Sequence, residues 1–325
     1  MNIASVSSGG HPPVSLQPEW HRRVAEWRDL LARCARTPSR KRVHLLRSLT
    51  LRLQVELEYK LPGQATETKA AGALRRWQRE AKKLRRALRP VRDADVYLAG
   101  LDGLRDTLRA SPEGEQKFSP RCLREMDKLE SRLKRRRLAG IDKLMAALNA
   151  RGKRLRRLSK ELEAALSPPA PPRVDSMAEA ALGIFAGVAS ELPNLNSVNL
   201  HVYRKRLKPA LYLAEIAAAD DPLARRLAAA FRKIHNATGD WHDWQTLALE
   251  ASHILPDKGK QDGLVPVLET LAERARQRSL GLYQRSATAF LENASEARPS
   301  QRRKPVAADP GFQPGHECRS FGIPS

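Results

Sequence analysis

Apolar residues recur every three or four positions along most of this chain, the spacing of one face of an α-helix. Trp20, Val24, Trp27, Leu30 and Leu31 form the first such stripe, beginning near Glu19. Thr37-Pro-Ser closes it, and Ser39 is placed to cap a second helix from Arg40 to Leu61, which Pro62-Gly63 ends. A third helix is predicted over Glu67–Leu88, interrupted by Pro90, and a fourth over Arg92–Arg109. Further helices follow over Pro120–Arg137 and Gly140–Leu166, then over 176–191, 197–218, 221–237, 240–254 and 264–292. No segment shows the period-two alternation of a strand, so the expected class is all-α.

Proline and glycine set the organisation. Ser167-Pro-Pro-Ala-Pro-Pro-Arg173 reads as a semi-rigid spacer (167–173) between two helical halves, 19–166 and 174–292. The Ser/Gly/Pro-rich start, 1–18, and the aperiodic tail, 293–325, read as disordered. The halves share an order of elements. Val43-His44-x-x-Arg47 opens a helix in the first and Leu200-His201-x-x-Arg204 opens one in the second. Later, Arg92-Asp93-Ala-Asp95 and Gly239-Asp240-Trp-His242-Asp243 each follow a break. A duplicated helical bundle is the economical reading.

Charge narrows the partner. Lys and Arg number 59 against 36 Asp and Glu, a net charge of +23. Residues 40–160 alone hold 34 basic and 14 acidic residues, so nearly the whole excess lies in the first half. A one-signed field repels itself, and a bound polyanion is its natural counterweight. Arg75, Arg79, Lys82 and Arg86 follow i, i+4, i+7, i+11, with Lys83 beside them. Like charges at these spacings weaken a helix unless something neutralises them. Arg132–Arg137 and Arg151–Lys160 are further clusters. Guanidinium forks match phosphate oxygens and stay charged at all relevant pH. His44 and His201 sit among arginines, where an imidazole can gain charge on meeting phosphate.

Other chemistry finds less support. Cys34, Cys122 and Cys318 have no paired spacing, which argues against a disulfide framework or a zinc site and fits a reducing, cytoplasmic setting. The N-terminus lacks the pattern of a signal peptide, and no apolar run is long enough to span a membrane. A phosphate-processing enzyme needs clustered carboxylates for a metal ion. Asp93/Asp95 is the only short candidate, and the adjacent Arg92 points to ion pairing. His242-Asp243 is expected near a helix start, with Asp243 as a cap. Glu56-Leu-Glu58-Tyr-Lys60 spells E-x-E-x-K, a strand signature of triphosphate-tunnel enzymes, but falls on a Leu-rich helix and reads as helix-surface charge. No catalytic residue, metal site or cofactor is expected. Nucleic acid shares the electrostatics of polyphosphate, yet aromatics for base stacking are few, and Trp241 and Trp244 read as core.

The segments VHLLRSLTLR (43–52), LRPVRDADVYLAGL (88–101), LHVYRKRLK (200–208) and GDWHDWQTL (239–247) together resemble the CHAD family, the conserved histidine α-helical domain. The resemblance implies two pseudo-symmetric antiparallel four-helix-type bundles around a basic central groove. It also implies binding of inorganic polyphosphate and association with polyphosphate granules, without catalysis. Motif matching then makes His44, Arg47, Arg52, Arg92, His201, Arg204, Lys205 and Lys208 the binding candidates, beside the Arg75, Arg79, Lys82, Lys83, Arg86 stripe. Two departures stand out: Leu51 precedes Arg52 where the family has a second Arg, and Pro209 follows Lys208. A proline there should kink the helix and leave more of the binding to the first half.

Overall fold

The computed structural model describes residues 19–61, 68–110, 119–166, 176–255 and 263–292. The disorder expected for 1–18 and 293–325, and the spacer at 167–173, lie outside these residues. The described residues are helical and contain no strand. The helices are α1 (Glu19–Arg36), α2 (Arg40–Lys60), α3 (Lys69–Ala110), α4 (Pro120–Ala165), α5 (Met177–Glu191), α6 (Leu200–Ala217), α7 (Pro222–Ile254) and α8 (Leu264–Ala287), with a π-helical turn over Thr288–Glu292. Ser39 caps α2 as expected, its side chain accepting from Arg42 N.

Three expected breaks are absent. α3 runs unbroken through Pro90, α4 through Gly140 and α7 through Gly239. An interior proline costs a helix about 3 kcal/mol. On α3 the apolar period crosses it without a fault: Leu84, Leu88, Val91 and Ala94 are all buried. Each buried Leu returns roughly 1.5–3 kcal/mol, so packing outweighs the proline. Gly140 serves close approach instead of ending a helix. A β-carbon there would lie 3.2 Å from Val91 Cγ2 and 3.5 Å from Pro90 Cβ, so α4 crosses α3 against the proline turn. Pro209 likewise sits inside a continuous α6.

The long helices tie the halves together. One apolar core is built by α1–α4 around Trp27, Leu53, Trp77 and Leu155. A second is built by α5–α8 around Phe185, Tyr203 and Phe231, and takes in Leu51, Val55 and Tyr59 of α2. A third joins Tyr97 and Leu101 of α3 and Met126 and Leu133 of α4 to Leu247 of α7 and Leu268 of α8. The halves therefore share core, with α2 packing on α6 and α3 on α7. E-x-E-x-K lies on α2, but Glu56 is not surface charge. It is 1% exposed and pairs with Arg23 of α1 at 2.6 Å.

Candidate polyanion-binding seam

The seam where α2 and α3 meet α6 and α7 gathers the basic residues of both halves. Arg47 projects from α2 and donates to the carbonyl of Arg85 on α3 at 3.1 Å, one turn before Pro90. Arg92 of α3 reaches across to α7, donating to Asp243 at 3.2 Å from both terminal nitrogens and to Asp93 at 3.1 Å. Arg52 donates to Glu215 of α6 at 2.6 Å and lies over the Tyr212 ring, 5.7 Å from its centroid. From α6, Arg204 lies along Gly239 of α7, its Nη2 3.5 Å from where a β-carbon would stand.

The cations outnumber the carboxylates. Asp93 and Asp243 are both engaged by Arg92, and Glu215 is shared by Arg52 and Arg232. Arg47, Arg204 and Lys208 are half-buried and make no ion pair among the described residues. Arg204 Nε is buried without a hydrogen-bond partner, and so is His235 Nδ1. A buried donor left unmatched costs roughly 1–3 kcal/mol, more when charged. Such a group calls for a partner from outside the protein, such as water or a bound ion.

The electrostatics follow from this crowding. Burial, reinforced by Arg204, Arg47 and Arg92, brings Lys208 down to about 7. Burial followed by Lys205 and His242 brings His201 down to about 4. Burial with Arg204 and Lys208 brings His235 down to about 3. His44 sits at the rim, where partial desolvation with Arg92 and Arg47 also lowers it. Arg92 moves the other way: burial opposes its charge, but Asp243 and Asp93 raise its pKa. Asp243 is held low, the hydrogen bond from His242 and the Arg92 charge outweighing burial. His201 and His242 stack, ring centroids 5.0 Å apart.

Of the residues expected from sequence, His44, Arg47, Arg52, Arg92, His201, Arg204 and Lys208 converge here, with Lys205 exposed beside His201. Arg75, Arg79, Lys82 and Arg86 form an exposed stripe on α3 that leads toward Arg92. Lys83 does not join it. It turns to Glu80 at 3.0 Å, on the side of α3 that packs against α4. Lys208, the immediate neighbour of Pro209, lies in the seam near Arg47, Arg92 and Arg204. Asp243 is not a cap; α7 is capped by Asp221, which accepts from Leu223 N at 2.7 Å. The ion-pair reading of Asp93 holds, and Asp95 pairs with Arg137 at 2.5 Å.

Sequence reasoning missed Arg85, His235 and the placement of His242 and Asp243. Ending a helix at Gly239 put these residues out of phase. A continuous α7 sets His235, Gly239 and His242 on one face, at spacings of four and three.

A family model described as CHAD domain matches residues 67–220. Over these residues the chain is similar to the CHAD family. The match covers α3 to α6, so His44 and Arg47 before it and Asp243 after it enter the site through the fold. No curated protein and no solved structure matches the chain. Among the described residues no helix is long and apolar enough to cross a membrane. Nor is any group of three or more His, Cys, Asp and Glu residues arranged to hold a metal ion.

Proposed function

We propose that this protein binds inorganic polyphosphate along the α2/α3–α6/α7 seam, acts by binding without catalysis, and through it associates with polyphosphate granules. The observation that carries the reading is the trio Arg47, Arg204 and Lys208, half-buried cations from both halves without a carboxylate partner. A chain of phosphates supplies the missing oxygens. Arginine grips them through paired N–H donors, and the released counterions add a strong, salt-sensitive drive. The α3 stripe extends the track, since Arg75 to Arg92 spans about 25 Å at 1.5 Å per residue. The seam's own carboxylates, Asp93 and Asp243, are committed to Arg92, which favours holding an anion over reacting with it.

The test is competition near physiological salt. Labelled long-chain polyphosphate is bound, then challenged with unlabelled polyphosphate, double-stranded DNA or single-stranded RNA at matched phosphate. Displacement by polyphosphate alone is the expected result. Equal displacement by DNA or RNA would make the protein a general polyanion binder and move nucleic acid to first place.

A further inference from the structure

The seam is not the only place where the fold exposes unpaired cations. α4 buries Leu129, Leu133, Leu144 and Leu148 on one face. On the opposite face, Arg124, Lys128, Arg132 and Arg135 follow at spacings of four, four and three. These keep within about one-quarter of the helix circumference and span about 17 Å. All four are exposed, and none makes an ion pair among the described residues. The local carboxylates are turned away from them. Glu125 accepts from Arg121 at 2.9 Å and from the Leu264 amide of α8 at 2.8 Å. Asp127 and Glu130 both pair with Arg105 of α3, and Glu130 also with Lys134 at 2.5 Å. The neighbouring Arg136 and Arg137 are bound to Glu250 and Asp95. The fold thus neutralises one flank of this turn of α4 and leaves the outer one purely basic.

This face is independent of the seam. α4 packs on α1, α3 and α8, and supplies no residue to the α2/α3–α6/α7 cluster. We propose that Arg124, Lys128, Arg132 and Arg135 form a second polyanion track that takes a separate polyphosphate chain, so that one molecule bridges two chains. The inference rests on the polyphosphate reading of the seam and adds a consequence to it. A protein with one track coats polyphosphate, whereas a protein with two cross-links it, because linked sites gain avidity without new contacts.

The experiment compares wild type with Arg124→Gln/Lys128→Gln/Arg132→Gln/Arg135→Gln. Glutamine keeps helix propensity close to that of Lys and Arg, and circular dichroism checks that the fold is retained. Calorimetric titration with short-chain polyphosphate is expected to give two chains per wild-type protein and one per variant, the remaining site keeping its affinity within about twofold because distant sites act independently. Long-chain polyphosphate mixed with wild type should scatter light strongly, and with the variant should not. Unchanged stoichiometry and scattering in the variant would overturn the second track while leaving the seam intact. If wild-type protein binds one chain, lost on Arg204→Gln/Lys208→Met, the seam stands and the bridge falls. If wild type binds none, the polyphosphate reading fails first. Displacement from the α4 track by DNA but not by polyphosphate would overturn the assigned occupant.

Discussion

Two basic clusters on α3, separated by about three turns, put the same residue types to opposite uses. Around Glu80 the anion belongs to the chain. This carboxylate is 3% exposed and accepts from Lys83 at 3.0 Å and Arg151 of α4 at 2.9 Å, with Arg154 close by. Burial would raise its pKa, but those hydrogen bonds and charges hold it low. Around Arg92 the carboxylates Asp93 and Asp243 are engaged by Arg92, Asp93 also by Arg89, and Arg47, Arg204 and Lys208 make no ion pair among the described residues. The first cluster is a clamp between helices. The second carries a surplus of buried positive charge that costs stability. Counting arginines does not separate a binding site from a structural one; counting the carboxylates that face them does.

The largest test of that contrast removes the surplus. Arg204→Gln with Lys208→Met takes away two charged donors, each worth roughly 1.5–3 kcal/mol to a charged partner, so polyphosphate affinity should fall about 100-fold or more. Thermal stability should hold or rise, because buried cations without partners are replaced by neutral groups. Affinity measured by titration and Tm by calorimetry should move in opposite directions. A fall in both would mean that the pair is structural. Next in size is the exposed stripe. Reversing Arg75, Arg79, Lys82 and Arg86 to Glu should weaken binding about tenfold or more, as each exposed ion contact is worth about 0.2–1 kcal/mol. Reversing Arg274, Arg278 and Arg285 of α8 should change it far less. Equal losses from both sets would leave diffuse attraction in place of a track.

Much of this contrast was legible in the chain. Amphipathic spacing is local, and it places the helical stretches and the Ser39 cap. The motifs carrying His44, Arg47, Arg92, His201 and Arg204 were visible because their residues share a helix face. What stayed hidden depends on contacts between helices. Pro90, Gly140 and Gly239 look like breaks when each helix is read alone. They sit inside helices because α3, α4 and α7 bury apolar stripes on both sides of them. That misreading concealed His235 and turned Asp243 from a cross-helix partner of Arg92 into a cap. Helical spacing separates Lys83 from Lys82, since Glu80–Lys83 is an i,i+3 pair and Glu80–Lys82 is not, but that Arg151 of α4 shares Glu80 depends on packing.

Titration sharpens the comparison next. Lys208 stands at about 7 because of burial and three neighbouring arginines, and a phosphate among them restores its charge. Binding therefore takes up a proton above pH 7, and affinity should fall with rising pH by at most about tenfold per unit, the limit set by one proton. Lys208→Met should flatten that slope between pH 7 and 9. His201 and His235, at about 4 and about 3, stay neutral in that window and should not contribute. The unliganded fold responds with the opposite sign. A lysine whose folded pKa lies below its unfolded value of about 10.4 destabilises the fold fully below pH 7. That penalty fades as pH rises from 7 toward 10.4, so its contribution makes the free protein more stable just where binding weakens. A wild-type affinity independent of pH across 7 to 9 would show that Lys208 does not meet the anion.

The smallest effect on binding belongs to the clamp, and it is the control that gives the others meaning. Glu80→Gln keeps the shape of the side chain and removes the charge that Lys83 and Arg151 share. Losing a buried, charge-assisted hydrogen-bond acceptor usually costs 3 kcal/mol or more, but both cations here can turn to solvent, so about 1–2 kcal/mol is the expected loss. Their side chains are 48% and 37% exposed, which sets that discount. Denaturant unfolding should show the loss as a lower midpoint at constant slope. Polyphosphate affinity should stay within about twofold, since Glu80 is not among the groups that act on Arg47, Arg92, Arg204 or Lys208. If freeing these cations instead raised affinity several-fold, local carboxylate pairing would be what withholds a basic cluster from polyphosphate. The difference between the two regions would then lie in one residue, Glu80, and not in the architecture of the seam.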